Sequence, residues 1–291
     1  MKFLILGSNG MAGHTIALYL SEQKHNVFGF ARSKSNHIKT IVGNAEDVKS
    51  IAKIIDTEKY DSIVNCIGIL NQFANLNKDQ AVYLNSYFPH FLASVTNQVD
   101  TQIIHISTDC VFSGSRGQYT ETDTPDEKSF YGRSKALGEL DDDKNLTLRS
   151  SIVGPDINPK GIGLLNWFLY QTSNSANSIC HLNGYTQTIW SGQTTLQLAK
   201  TIEMAAKEKA YGLINTVPTT TISKYNLLKL FNKYFRNDNI IINPIDGIIA
   251  NKSLKRTRYN FLDEIPDYEK MISELATWTF EHRYMYPHYN I

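Results

Sequence analysis

The sequence predicts an α/β chain: a doubly wound parallel sheet followed by a smaller, mixed second domain. Three observations carry this. An apolar run at residues 2–6 leads into three closely spaced glycines. Brief β-branched runs then alternate with amphipathic stretches over the first 150 residues, and glycine and proline gather at 154–163, where that cadence stops. Strand, helix and strand in this rhythm imply right-handed crossovers and a sheet covered on both faces.

Each element follows in turn. KFLILG (2–7) is an unbroken apolar run closed by glycine, the pattern of a buried parallel strand. Ile16, Ala17 and Leu20 then repeat at helical spacing. NVFGFARS (26–33) reads as the second strand, EDVKSIAKIIDTEKY (46–60) as a helix, and DSIVNCIGIL (61–70) as a strand with Gly68 at its end. A helix over 79–99 carries Pro89, which predicts a kink. TQIIHISTD (101–109) is a β-branched strand, SFYGRSKALGE (129–139) a helix, and TLRSSIVGPD (147–156) the last strand before the break. Beyond it, 163–172 is helical with Trp167 and Phe168 in the core, and 195–209 is an amphipathic helix followed by a strand at 212–217. Further amphipathic helices cover 224–235 and 268–283. The predicted domains are 1–153, which the segment 184–217 is a candidate to rejoin, and a smaller one over 154–291.

The 291 residues are 42% hydrophobic and 20% charged, the make-up of a globular protein with a sizeable core. A formal net charge of +1 argues against a dedicated nucleic-acid or anionic-membrane binder, and the basic run KSLKRTR (252–258) reads as a solvated face. Cys66, Cys110 and Cys180 are far apart, odd in number and without a C-x-x-C pair, which suits a reducing compartment rather than a disulfide framework or a zinc site. The apolar run in MKFLIL is too short for a signal peptide and no stretch approaches a membrane span, so a cytoplasmic location is expected. The eight histidines show no metal-ligand spacing, and no catalytic metal is expected.

Gly7, Gly10 and Gly13, set between a strand and a helix, suit a dinucleotide turn. Glycine there lets the chain turn tightly, brings bare backbone N–H groups to a pyrophosphate and packs helix against strand, while the helix N-terminus offers its unpaired donors. Asn9 and Met11 share that turn and are expected to touch the cofactor. A site for NAD ends its second strand with Asp or Glu for the ribose hydroxyls. Here Ala31-Arg32-Ser33 stands instead, and Arg32, with Ser33 adding a donor, suits a 2′-phosphate, so NADP(H) is the expected cofactor. Ligands in such sheets bind beyond the strand C-termini, which sends the cofactor past Cys66, Ile67 and Gly68 and puts Ser107, Thr108, Asp109 and Cys110 on the same rim, facing the substrate.

Tyr131 and Lys135, at i and i+4, lie on one helical face. With Thr108 they form a coherent set: a hydroxyl to hold a carbonyl, a phenol to give or take a proton, and a lysine to tune the phenol. A free phenol titrates near ~10, too high for an efficient relay near neutrality, and a neighbouring ammonium should lower it. Lys135 is also placed to hold a nicotinamide ribose. Arg149, Arg256 and Arg258 are candidates for a substrate diphosphate, since a guanidinium fork suits phosphate oxygens, and Trp190 for stacking on a nucleobase.

The glycine triplet, STDCVFSG (107–114), YTETDTP (119–125) and YGRSKALGE (131–139) together resemble the extended short-chain dehydrogenase/reductases, and among them the dTDP-4-dehydrorhamnose reductase family of deoxysugar biosynthesis. The resemblance covers nearly the whole chain and is strongest over 1–154. It implies a Rossmann-type domain and reduction of a nucleotide-diphosphate 4-ketosugar with NADPH. It also implies that Thr108 orients the keto group, Tyr131 protonates it, and Lys135 supports Tyr131 and the ribose. Cys110 stands where the family has an aromatic residue, NCIGIL (65–70) replaces its usual turn, and 183–199 matches its substrate loop only loosely. Reductases or epimerases of UDP-linked 2-acetamido-2,6-dideoxyhexos-4-uloses share the fold and stay open, as does a non-catalytic NADP-binding regulatory subunit. A 4,6-dehydratase would show Glu where Cys110 stands. By analogy with the fold, a homodimer through runs 79–99 and 131–140 is expected.

Overall fold

Period-two alternation along strand β1 (Lys2–Leu6) sends Phe3 and Ile5 into one hydrophobic layer and Leu4 and Leu6 into the other, and all four are fully buried. The computed structural model describes residues 1–173, 180–259 and 264–291. After β1 come α1 (Met11–Glu22), β2 (Asn26–Ala31), β3 (Lys39–Val42), α2 (Val48–Glu58), β4 (Ser62–Asn65) and two short helices, α3 (Asn71–Leu76) and α4 (Lys78–Ala81). A π-helical stretch, Val82–Tyr87, leads into α5 (Phe88–Val95), followed by β5 (Gln102–Ser107), a 3₁₀ turn at Asp109–Val111, α6 (Phe130–Ala136) and β6 (Leu146–Arg149). The second half runs β7 (Ile152–Val153), α7 (Leu164–Ser173), β8 (His181–Tyr185), β9 (Thr188–Trp190), β10 (Gln193–Thr194), α8 (Thr195–Lys207) and β11 (Gly212–Asn215). It closes with β12 (Ile222–Ser223), α9 (Lys224–Arg236), β13 (Ile241–Ile245), β14 (Ala250–Asn251) and α10 (Tyr268–Glu281).

Seven strands form one parallel sheet in the order β11-β6-β5-β4-β1-β2-β3, the doubly wound fold that the sequence predicts. Strand order reverses between β1 and β4, and such a switch point opens a crevice at the strand C-termini. The register Leu6↔Asn65 brings both strands to an end at the same level, beneath Gly7 and Cys66. The second half does not stay apart from this sheet. β11 pairs with β6, and α8 packs on α1, with Leu198, Ile202 and Ala205 in the same buried cluster as Ile16 and Leu20. The smaller sheets, β12-β9-β14 and β13-β8, lie in the second half.

Three sequence expectations need correction. The helix expected over 79–99 is three segments, and its irregularity precedes Pro89. Proline has no N–H to return to the carbonyl four residues earlier, here that of Asn85, and the π-helical stretch absorbs the lost bond. A Cβ on Gly138 would stand 1.9 Å from that same carbonyl oxygen, so only glycine lets the two segments meet. Trp167 is not in the core: it is 38% exposed, on the outer face of α7, while Phe168 is fully buried. Strand β3 has no counterpart in the sequence reading, because four residues with both ends exposed at a sheet edge leave little pattern. No helix among the described residues is long and apolar enough to cross a membrane.

Candidate active site

The turn after β1 is closed by the Gly10 N–H donating to the Gly7 carbonyl at 2.9 Å. Gly7 has φ +82°, and a Cβ on Gly13 would stand 2.2 Å from the Gly7 oxygen, so α1 starts this close to the strand only with glycine at both places. At Gly10 the one near atom is that same oxygen, at 3.3 Å, and the rest is open cleft. Asn9 Nδ2 donates to the carbonyl of Ser33 (2.9 Å) and to its Oγ (3.1 Å), tying the turn to the segment after β2. Arg32 beside it is exposed, with no hydrogen bond or ion pair among the described residues.

A cleft of about 400 Å³ opens beyond the ends of β1, β4 and β5. It brings together Gly10, Met11 and Gly13 from the turn, Cys66, Ile67 and Gly68 after β4, Ser107, Thr108, Asp109 and Cys110 after β5, and Tyr131 and Lys135 from α6. Gly7, Asn9, Arg32 and Ser33 are not among the residues lining it; Gly7 and Asn9 belong to the same turn, and Asn9 ties that turn to Ser33, next to Arg32.

Local sequence sets α6. Ser129 caps it by accepting from the Gly132 N–H (3.2 Å), and a Cβ on Gly132 would meet the Cys110 carbonyl at 2.3 Å, so the helix presses on the 3₁₀ turn. Ser134 Oγ donates to the Tyr131 carbonyl at 2.9 Å and accepts from Asn85 Nδ2 at 3.0 Å. Asn85 also bonds the N–H (2.8 Å) and carbonyl (3.0 Å) of Ile69, joining α6 to the loop after β4. The sequence reading missed Asn85; an asparagine inside a helix four residues before a proline was the signal available.

Thr108 Oγ1 accepts from the Cys110 N–H (3.1 Å) and donates to Asp109 (3.2 Å), and its nearness to the Tyr131 phenol works to lower that group. Burial nevertheless holds the Tyr131 phenol above its ordinary value, with Cys110 and Asp109 adding to the rise. This corrects the expected lowering. Lys135 spends its amine elsewhere, donating to the Ile106 carbonyl at 2.8 Å and lying 3.2 Å from His105 Nε2. Burial lowers Lys135 to about 8, against the pull of Glu139 and Cys66. Burial pushes the thiols of Cys66 and Cys110 each up to about 12, so neither is a thiolate near neutrality. Asp109 is raised by burial, partly offset by Lys224.

Several predicted substrate residues are elsewhere. The Arg149 guanidinium is buried and bidentate to Glu139 (Nε 2.9 Å, Nη2 2.6 Å), and Ser107 Oγ donates to the same carboxylate at 2.6 Å. Arg258 is at the N-terminal end of β11, away from the cleft, bonding the Leu213 carbonyl at 3.2 Å. Arg256 does not line the cleft either. Trp190 is buried at 3% exposure against Tyr268, with ring centroids 5.6 Å apart, and so cannot stack on a ligand base. The run 252–258 is not simply a solvated face: Ser253 and Leu254 are buried, and Glu121 accepts from Thr257 Oγ1 (2.6 Å) and from the Asn215 N–H (3.1 Å). A lysine that the sequence reading passed over does reach the cleft. Lys224, in the first turn of α9, faces Asp109 and rides 5.2 Å above the Trp190 ring. A cation in a helix's first turn opposes the macrodipole, which marks it for a purpose other than helix stability.

A probable low-salt glycan biosynthesis reductase of Haloferax volcanii is 31% identical over 143 residues, 48% of each chain. Against this and other curated relatives the chain's match spans about half their length. A dTDP-4-keto-6-deoxy-D-glucose reductase of Streptomyces niveus is 24% identical over 289 residues, covering 96% of this chain and 94% of that one. The solved dTDP-4-dehydrorhamnose reductase of Bacillus anthracis, in complex with NADP, shares the fold with a TM-score of 0.79 at 19% identity, over 96% of this chain and 99% of that one. Residues 1–153, more than half of the chain and the part that carries the glycine turn, Thr108, Tyr131 and Lys135, match the model of the RmlD substrate binding domain, and the chain belongs to that family.

Proposed function

We propose that the protein is an NADPH-dependent reductase of a nucleotide-diphosphate-linked 4-keto-6-deoxysugar, serving deoxysugar and cell-surface polysaccharide biosynthesis. The observation that carries this reading is the meeting of Thr108, Tyr131 and Lys135 with the glycine turn in one cleft. The residues fit the cofactor: Gly10 leaves open space where a side chain would project, the first turn of α1 carries no acidic residue, and Arg32, without a partner among the described residues, suits a 2′-phosphate. When bound, NADPH supplies a hydride to the carbonyl carbon. Negative charge then grows on the sugar oxygen, where the Thr108 hydroxyl holds it and the Tyr131 phenol protonates it. The raised phenol suits this direction, because a proton donor must still carry its proton at working pH. Lys224 and Asp109 offer a donor and an acceptor to the sugar at the far end of the cleft.

Residues 1–153, with α8 and β11, make the cofactor-binding part in this reading, and the remainder covers the substrate. The exposed faces of Tyr87 and Leu137 support a homodimer, and three free cysteines suit the cytoplasm. The test is to follow NADPH absorbance with a panel of dTDP-, UDP- and GDP-linked 4-ketosugars, including 2-acetamido forms. Oxidation of NADPH by one of them supports the reductase. Cofactor binding without turnover of any would replace it with the regulatory-subunit reading.

A further inference from the structure

Beneath the catalytic helix lies a buried ladder that the proposed reaction does not use. Asn65 ends β4, His105 is its neighbour on β5, and both are fully buried. Asn65 Oδ1 accepts from the Ile67 N–H at 3.1 Å, and Asn65 Nδ2 lies 3.1 Å from His105 Nδ1. His105 Nε2 in turn lies 3.2 Å from Lys135 Nζ, which also donates to the Ile106 carbonyl.

The donors and acceptors allow one consistent reading. A backbone N–H only donates, so Ile67 fixes which end of the Asn65 amide is oxygen. The amide nitrogen therefore faces His105, and Nδ1 must accept. A neutral imidazole that accepts at Nδ1 carries its hydrogen on Nε2, and that hydrogen points at Lys135. An ammonium has no lone pair to receive it; a neutral amine does. A doubly protonated His105 would fail at Nδ1 as well, and full burial disfavours it.

We propose that His105, set by Asn65 in its Nε2–H form, is a positioning residue that favours the neutral amine of Lys135 in the ligand-free protein, so that in mildly alkaline solution Lys135 gains its charge as cofactor binds. The charged and titratable groups around the pair agree. Glu139 is engaged by Arg149, Cys66 is a thiol, Tyr131 keeps its proton, and His90, the other group that acts on His105, bonds the Leu137 carbonyl at 2.8 Å. Charging Lys135 when the anionic cofactor arrives would bring Tyr131 within reach of proton transfer only in the loaded site. The last step rests on the reductase reading; the state of the ligand-free pair does not.

The first test needs no cofactor. Nitrogen-15 histidine and carbon-13 lysine spectra, assigned with His105→Phe and Lys135→Met, should show His105 as the neutral Nε2–H tautomer and Lys135 titrating near 8. An Nδ1–H tautomer, an imidazolium, or a Lys135 that titrates like an ordinary lysine would overturn the proposal. Asn65→Asp should reverse the ladder: its carboxylate accepts from His105 Nδ1, Nε2 becomes an acceptor, and the proton affinity of Lys135 rises more than about tenfold. That rise should be lost in Asn65→Asp/His105→Phe; an equal rise in the double variant would mean a direct charge effect and sink the route through His105. If Asn65→Asp does not fold, the wild-type tautomer decides. Calorimetry of NADPH binding just above the Lys135 midpoint, in two buffers of different ionisation heat, should then show net proton uptake. Binding without uptake overturns charging on arrival, whereas failure of NADPH to bind counts against the reductase reading and leaves the spectra to decide the ladder.

Discussion

Arg149 and Glu139 form a buried, bidentate ion pair at the end of β6, with the guanidinium also lying 4.9 Å above the Phe112 ring. Its geometry spends the fork on a protein carboxylate rather than on a ligand phosphate. Removing one partner of such a pair leaves an uncompensated buried charge and costs about 3–5 kcal/mol. Arg149→Met should therefore lower unfolding stability by about that amount in denaturant titrations. Any protein that folds should bind NADPH and sugar nucleotide as wild type does. A stable variant with a large rise in substrate KM would return Arg149 to the substrate.

Tyr131→Phe removes the phenol hydroxyl, the proton donor of the proposed reaction, and leaves the ring's packing. It should lower kcat by about 10²–10⁴-fold while NADPH affinity is unchanged, because the glycine turn and Arg32 are untouched. Thr108→Val should lower turnover with little effect on the cofactor. Reduction at wild-type speed by Tyr131→Phe, measured by NADPH absorbance, would show that the four-residue spacing to Lys135 has no part in catalysis.

The legible part of this site is the part written locally. Gly7, Gly10 and Gly13 share a single turn, and Tyr131 and Lys135 a single helix, so spacing alone reports them as neighbours. Asn65 and His105 meet only because β4 and β5 pair in register, and Lys224 enters the cleft from a helix more than a hundred residues beyond Asp109. No short window of sequence contains such contacts. Arg149 was misread for the same reason: a sequence shows a guanidinium but not that Glu139, ten residues earlier, turns back to take it. Trp190 and Trp167 exchange expectations because burial is settled by what packs over a side chain: Tyr268 packs on Trp190, whereas Trp167 stays 38% exposed.

Arg32 is exposed and, among the described residues, unpaired, next to a turn anchored by Asn9 on Ser33. Its charge should favour NADPH over NADH, and Arg32→Asp should invert the preference, since a carboxylate accepts from ribose hydroxyls and repels a 2′-phosphate. Fluorescence titration of both cofactors against both proteins measures this. Equal affinities in the wild type would remove Arg32 from the 2′-phosphate site.

Tyr87, just before α5, and Leu137, just after α6, are 50% and 69% exposed, and His90 of α5 bonds the Leu137 carbonyl at 2.8 Å, so the two helices meet at this surface. Sedimentation should find a dimer at micromolar concentration, and Tyr87→Lys/Leu137→Lys should leave a folded monomer that still binds NADPH. A monomeric wild type would remove the dimer.

The lowered Lys135 amine sets a pH dependence for the cofactor. Below about 8 Lys135 is protonated in a growing share of molecules and attracts the anionic cofactor; above about 8 the ligand-free amine is neutral, and binding must also draw a proton from solution. NADPH affinity should therefore fall as pH rises through that midpoint, by up to about tenfold per pH unit where one proton is taken up. Tyr131 does not share this transition, because its phenol is raised, not lowered, and stays protonated while Lys135 discharges. Lys135→Met should bind NADPH weakly at every pH and give a flat profile over the same range. An affinity that is level across the midpoint in the wild type, with the fall appearing only where free phenols or ordinary lysines titrate, would separate Lys135 from the cofactor altogether.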